Sequence, residues 1–144
     1  MTVGLVALMV AAIFTGAAVY VNVAEQPARL TLDDRALLSE WKPSYRRGFA
    51  MQAPLALAGF ILGMIAWWQA SHPGFLIGAI AMIGPWPWTI FGIKPTNDAL
   101  LATEIEKAGP HSRALIVKWG GLHAVRTGLG ALAALAFLWA SMQR

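Results

Sequence analysis

The sequence contains no cysteine. That absence excludes disulfides, thiolate zinc sites, iron–sulfur clusters and cysteine nucleophiles. Charge is also scarce, with Asp, Glu, Lys and Arg together making up 12% of the residues. Histidine occurs three times, and no two histidines fall at i, i+3 or i, i+4, so no helix offers a pair of imidazoles to one metal. A di-iron carboxylate site needs several glutamates and Glu-x-x-His pairs, and the chain has no such pair. No glycine-rich phosphate loop follows a strand. No serine nucleophile with a base and an orienter is visible. The net charge of +4 does not point to nucleic acid. The basic residues flank apolar runs, where they set topology and touch anionic lipid headgroups.

What is abundant is apolar surface. Hydrophobic residues make up 58% of the chain, and the mean hydropathy is +0.58. This composition is that of an integral membrane protein. The pattern predicts an all-α four-helix bundle, one transmembrane domain across residues 1–144, with spans at about 3–23, 49–69, 75–93 and 119–140. The first run has no leading Lys or Arg and is long for a signal peptide, so a retained helix is expected despite the small residues Gly16, Ala17 and Ala18. Three small-residue pairs are candidates for close helix packing: Ala12 with Gly16, Gly59 with Gly63, and Gly74 with Gly78.

Between the first two spans, Thr31 can cap a short helix that carries Leu37, Leu38 and Trp41 on one side and stops at Pro43. It reads as an amphipathic helix lying at the membrane interface. Pro27 kinks or ends the first helix, and Pro85 and Pro87 interrupt the third. Thr96 or Asn97 can cap a further short helix ending before Gly109, and Ser112 can cap the last one. Both long loops are basic. One holds Arg29, Arg35, Lys42, Arg46 and Arg47, and the other Lys94, Lys107, Arg113 and Lys118. Basic loops stay cytoplasmic, so both termini are expected outside, in a membrane of the bacterial inner-membrane type.

The most unusual stretch is Trp119-Gly120-Gly121-Leu122-His123-Ala124-Val125-Arg126-Thr127. On a helix, Trp119, His123, Arg126 and Thr127 share one face. An arginine within a span costs about 2.5–3.5 kcal/mol on insertion scales, so it needs a partner or a wet cavity. The other polar residues near that end are Asn22, Glu25 and Arg29 of the first span, and Thr89, Lys94 and Asn97 around the end of the third. Glu25 can pair with Arg29 at i, i+4, neutralise Arg126, or exchange a proton with His123. The sequence leaves these open. An acid–base pair in an aromatic, apolar pocket suits a flat hydrophobic small molecule drawn from the lipid phase. One axial His123 on a haem is the alternative. A homo-oligomer is left open.

Several segments resemble the anthrone-oxygenase-like family of small membrane proteins. They are Val23-Ala24-Glu25-Gln26-Pro27-Ala28-Arg29-Leu30, Glu40-Trp41-Lys42-Pro43-Ser44-Tyr45-Arg46-Arg47-Gly48, Pro87-Trp88-Thr89-Ile90, Lys94-Pro95-Thr96-Asn97 and Trp119 to Thr127. The family is largely of unknown function and is named for fungal members that oxidise anthrones to anthraquinones. The resemblance implies a four-helix membrane protein and oxygen chemistry on an anthrone- or quinol-like aromatic, without metal or flavin. Such chemistry needs a general base and a cation for the enolate oxygen. His123 is the expected base, with Glu25 orienting or replacing it. Arg126, assisted by Asn97 or Lys94, is the expected oxyanion site, and Trp88 and Trp119 are expected to hold the ring system. Asn22 and Arg29 complete the expected substrate-binding set. The rival classes are a haem- or quinone-binding redox protein, and a non-enzymatic subunit or lipid-binding scaffold.

Overall fold

The computed structural model describes residues 2–143. Four long helices cover most of it: α1 (Thr2–Arg29), α2 (Asp34–Ala70), α3 (Pro73–Ala102) and α4 (Pro110–Met142), each long and apolar enough to cross a membrane. No strand occurs among the described residues. The helices run up and down in sequence. Each packs against its two chain neighbours, and α4 closes the ring on α1. Leu5, Met9, Ile13, Ile61, Ile80, Leu135 and other large apolar side chains face outward. In water this surface would be a liability. In a bilayer it is the lipid-contacting belt of a membrane helical bundle.

Two of the three small-residue pairs lie in the core. A Cβ on Gly63 would sit 2.7 Å from Phe137 Cζ, and Gly78 abuts the same ring from α3. Phe137 of α4 is therefore wedged where α2 and α3 come closest, and only glycine leaves it room. The third pair behaves otherwise. Ala12 and Gly16 are exposed, and nothing lies within 4 Å of a Cβ placed on Gly16. The buried face of α1 is instead Ala7, Ala11, Phe14 and Ala18.

The expected interfacial helix is not a separate element. Residues 34–43 form the first turns of α2, which continues through Pro43 and Pro54 without a break. An interior proline costs about 3 kcal/mol in a helix. That cost is offset by tertiary packing, because Leu37, Leu38 and Trp41 are fully buried against Ile93, Leu100, Ile116 and Trp119. The amphipathic stripe faces protein, not membrane. The N-cap is Asp33, whose side chain accepts from the Ala36 amide at 2.9 Å, while the Thr31 hydroxyl donates back to the Ala28 carbonyl.

The other prolines are absorbed similarly. The helix of α1 runs past Pro27, and that of α3 past Pro95 to Ala102, while a one-residue turn at Gly84 interrupts α3 just before Pro85 and Pro87. In each case a five-residue π-helical segment, Val21–Glu25 or Thr89–Ile93, precedes Pro27 or Pro95. The wider turn supplies slack for the missing amide donor and re-aims the side chains within it. Thr96 and Asn97 are thus buried within α3 and cap nothing. Helix α4 begins at Pro110 with Gly109 as its N-cap. Ser112 sits inside the first turn, where its hydroxyl accepts from the Gly109 amide at 3.0 Å.

Candidate functional site

Near the basic ends of the helices, α1, α2 and α4 part around a cavity of about 370 Å³. It lies between the two apolar clusters of the bundle. Along α4, Trp119 belongs to the cluster at the basic end and Ala133 to the other, with His123 and Arg126 between them. Along α2, Trp41 and Ala56 bracket Tyr45 and Gln52 in the same way. Arg29, Tyr45, Gln52, Trp119, His123 and Arg126 supply its buried or half-buried polar and aromatic lining.

His123 is 2% exposed. Its Nδ1 lies 2.8 Å from Asn22 Oδ1. The same oxygen accepts the Thr127 hydroxyl at 2.7 Å. The Asn22 amide nitrogen donates across the helix interface to the Gly120 carbonyl at 2.9 Å. Beside it, Gln26 donates to the Ile116 carbonyl at 2.8 Å. These bonds need α1 and α4 in close contact. Gly120 allows it, because a Cβ there would meet Gln26 Nε2 at 2.8 Å. Asn22 belongs to the π-helical segment of α1.

Arg126 is 7% exposed and sits one turn further along α4. Its guanidinium lies 5.9 Å from the centroid of the Phe14 ring. Among the described residues it makes no ion pair, and its buried Nε has no hydrogen-bond partner. Gln52 Oε1 is likewise buried without a donor. A cation and an amide oxygen thus border one cavity, with hydrogen-bonding capacity unspent. Buried polar groups are normally satisfied, so these two atoms stand out, as do Arg29 Nε and Trp119 Nε1 in the same lining.

Glu25 answers the question the sequence left open. It pairs with Arg29 on its own helix, and Arg29 also faces Glu40 of α2 at 3.0 Å. The Arg29 guanidinium lies 5.7 Å from the centroid of the Trp119 ring. Glu25 and Arg29 line the cavity, but their charges are spent on each other and on Glu40.

One wall of the site is an aromatic stack. Tyr45 lies parallel on Trp41 at 5.0 Å, Trp41 meets Trp119 edge-on at 5.8 Å, and Trp119 tilts over His123 at 5.0 Å. Only the last of the two tryptophans expected to hold a ring system borders the cavity. Trp88 is a strut. Its indole N–H donates to the Leu122 carbonyl at 2.9 Å, fastening α3 to α4. Asn97 is buried one layer out and donates to the Tyr45 hydroxyl at 3.2 Å. Lys94 is exposed, pairs with Asp98 at 2.6 Å and does not border the cavity. Asn22 is not among the lining residues, and its amide is bonded to Gly120, Thr127 and His123.

Sequence reading passed over Gln52 and Tyr45. The available signal for Gln52 was a lone amide within an apolar span. Tyr45 entered only within the segment from Glu40 to Gly48. No cluster of three or more His, Asp or Glu placed to hold a metal occurs among the described residues.

The family model for anthrone oxygenase matches residues 41–136, about two thirds of the chain. No curated protein and no solved structure matches.

Proposed function

The chain belongs to the anthrone oxygenase family, and on that premise we propose that it is a membrane oxygenase acting on a flat hydrophobic aromatic of the anthrone or quinol type. The observation that carries this reading is the buried Arg126 guanidinium, without a counter-ion among the described residues, beside His123 in a cavity with an aromatic wall. A permanent cation held in such a place is suited to an anion that forms only during reaction.

The chemistry follows from the substrate class. An anthrone-type methylene flanked by aromatic rings and conjugated to a carbonyl is acidic. His123 takes one of its protons, and the electron pair moves onto the carbonyl oxygen, where Arg126 meets the negative charge. The electron-rich enolate transfers an electron to O₂, and the two radicals combine to a C–O–O⁻ peroxide. The imidazolium returns its proton to that peroxide. Loss of water across the C–O–OH group then leaves a carbonyl. One methylene and one O₂ become one ketone and one H₂O, with no other oxidant. Gln52 and Tyr45, which border the same cavity, would contact the ring substituents. Glu25 and Arg29 keep Trp119 in place and do not handle the proton.

Stoichiometry tests the reading. Purified protein given an anthrone should consume one O₂ per carbonyl formed without accumulating hydrogen peroxide. Peroxide released one-for-one with product would instead mark an oxidase. A visible absorption band in the purified protein would move the balance to a haem on His123. The basic loops suggest that the cavity opens toward the cytoplasmic leaflet of an inner membrane, with both termini on the outer side.

A further inference from the structure

Asn22 decides which nitrogen of His123 is the base. Its amide can be oriented in only one way. The Gly120 carbonyl, 2.9 Å away, is an acceptor, so the group facing it is the NH₂. The opposite orientation would set two oxygens against each other and turn the NH₂ toward Thr127 and His123. Asn22 Oδ1 is therefore the atom that faces His123 Nδ1 at 2.8 Å and the Thr127 hydroxyl at 2.7 Å. An amide oxygen cannot donate. Nδ1 must carry the hydrogen, and it does so whether the ring is neutral or cationic.

Nε2 is left as the nitrogen that gains and loses a proton. It has no hydrogen-bond partner among the described residues, and His123 borders the cavity. We infer that Asn22 is a positioning residue that locks the Nδ1–H form of His123 and presents the Nε2 lone pair to the cavity, with Thr127 and the Gly120 carbonyl fixing Asn22 in turn. This rests on the reading of His123 as the base. The anchoring is unusually complete for a neutral residue in a span. All the hydrogen-bonding capacity of the Asn22 oxygen goes to α4, and Asn22 lies in the π-helical segment of α1. A neutral amide in place of a carboxylate orients the ring without adding an anion beside Arg126. That leaves the cation free for a substrate-derived charge.

The test is ¹⁵N NMR of histidine-labelled protein in detergent, with the His123 signals assigned by their loss in His123→Gln. Three histidines make the spectrum simple. The wild-type protein should show His123 protonated at Nδ1, with a bare Nε2 when the ring is neutral. Asn22→Ala should release the ring into a mixture of tautomers and lower kcat by about 10²-fold, the lower end of what a positioned base contributes, with little change in KM. Asn22→Asp keeps an acceptor at Oδ1 and, with its second oxygen protonated so that it donates to the Gly120 carbonyl, should retain the Nδ1–H form. An Nε2–H tautomer in the wild type would overturn the inference. So would an unchanged tautomer in folded Asn22→Ala, or, should that variant not fold, a switch to Nε2–H in Asn22→Asp. The spectra do not depend on turnover. An Nδ1–H signature in a protein that consumes no oxygen would sink the oxygenase reading and leave the positioning role intact.

Discussion

Arg126 rests 5.9 Å from the centroid of the Phe14 ring and is paired with no carboxylate among the described residues, while Arg29, one wall away in the same cavity, has two. The two arginines therefore do different work. Arg29 is neutralised by carboxylates, and on the proposed reading Arg126 keeps its charge for the substrate.

Arg126 gives the clearest split between stability and activity. A buried charge without a partner costs free energy, about 2.5–3.5 kcal/mol for an arginine in mid-span on insertion scales. Arg126→Met keeps much of the side-chain volume and removes the charge. Its thermal unfolding midpoint in detergent should equal or exceed that of the wild type. Oxygen consumption should fall by about 10²–10³-fold, the usual loss when an oxyanion donor is removed. A variant that unfolds early would make Arg126 an assembly residue.

Arg29 should behave in the opposite sense. Removing one partner of a fully buried ion pair costs about 3–5 kcal/mol, and the loss here should be smaller because both carboxylates are partly exposed. Arg29→Ala leaves Glu25 and Glu40 facing each other and should lower the unfolding midpoint sharply. Glu25→Gln should cost less, because Glu25 is partly exposed and the amide still accepts from Arg29. Oxygen uptake by Glu25→Gln should stay within a few-fold of wild type. A loss as deep as that of a His123 variant would return Glu25 to the proton chemistry.

The glycine seam around Phe137 can be tested without reference to function. Gly78→Ala places a methyl against the ring and should destabilise by about 1–3 kcal/mol, as overpacking does. Phe137→Leu in the same chain should recover part of that loss. A double-mutant cycle with no coupling would mean that α3 and α4 do not pack through this contact.

Much of this was legible in the sequence because it is local. Hydropathy marked the four spans, and helical periodicity put Trp119, His123, Arg126 and Thr127 on one face. What required the fold was knowledge of which face meets which partner. Ala12–Gly16 and Gly59–Gly63 have the same spacing, yet the first faces lipid and the second faces Phe137. Pro43 reads as a stop, but burial of Leu37, Leu38 and Trp41 carries α2 through it. Glu25 had three suitors by charge alone, and the nearest in sequence won because i, i+4 contact needs no tertiary fit. Asn22 lies 101 positions from His123, and no local pattern joins them.

Orientation has its own check, made easy by a chain without cysteine. Ser71→Cys lies at the turn between α2 and α3, and Lys107→Cys at the opposite end, both exposed. In intact cells a membrane-impermeant maleimide should label Ser71→Cys and reach Lys107→Cys only after permeabilisation. The reverse pattern would place the cavity mouth on the outer side.

The most direct measurement is oxygen consumption by purified, metal-chelated protein supplied with an anthrone, comparing wild type with His123→Ala. Uptake by the wild type that the folded variant loses is the expected result, with His123 as the base. Equal uptake by both proteins, or none by a folded wild type, would contradict it.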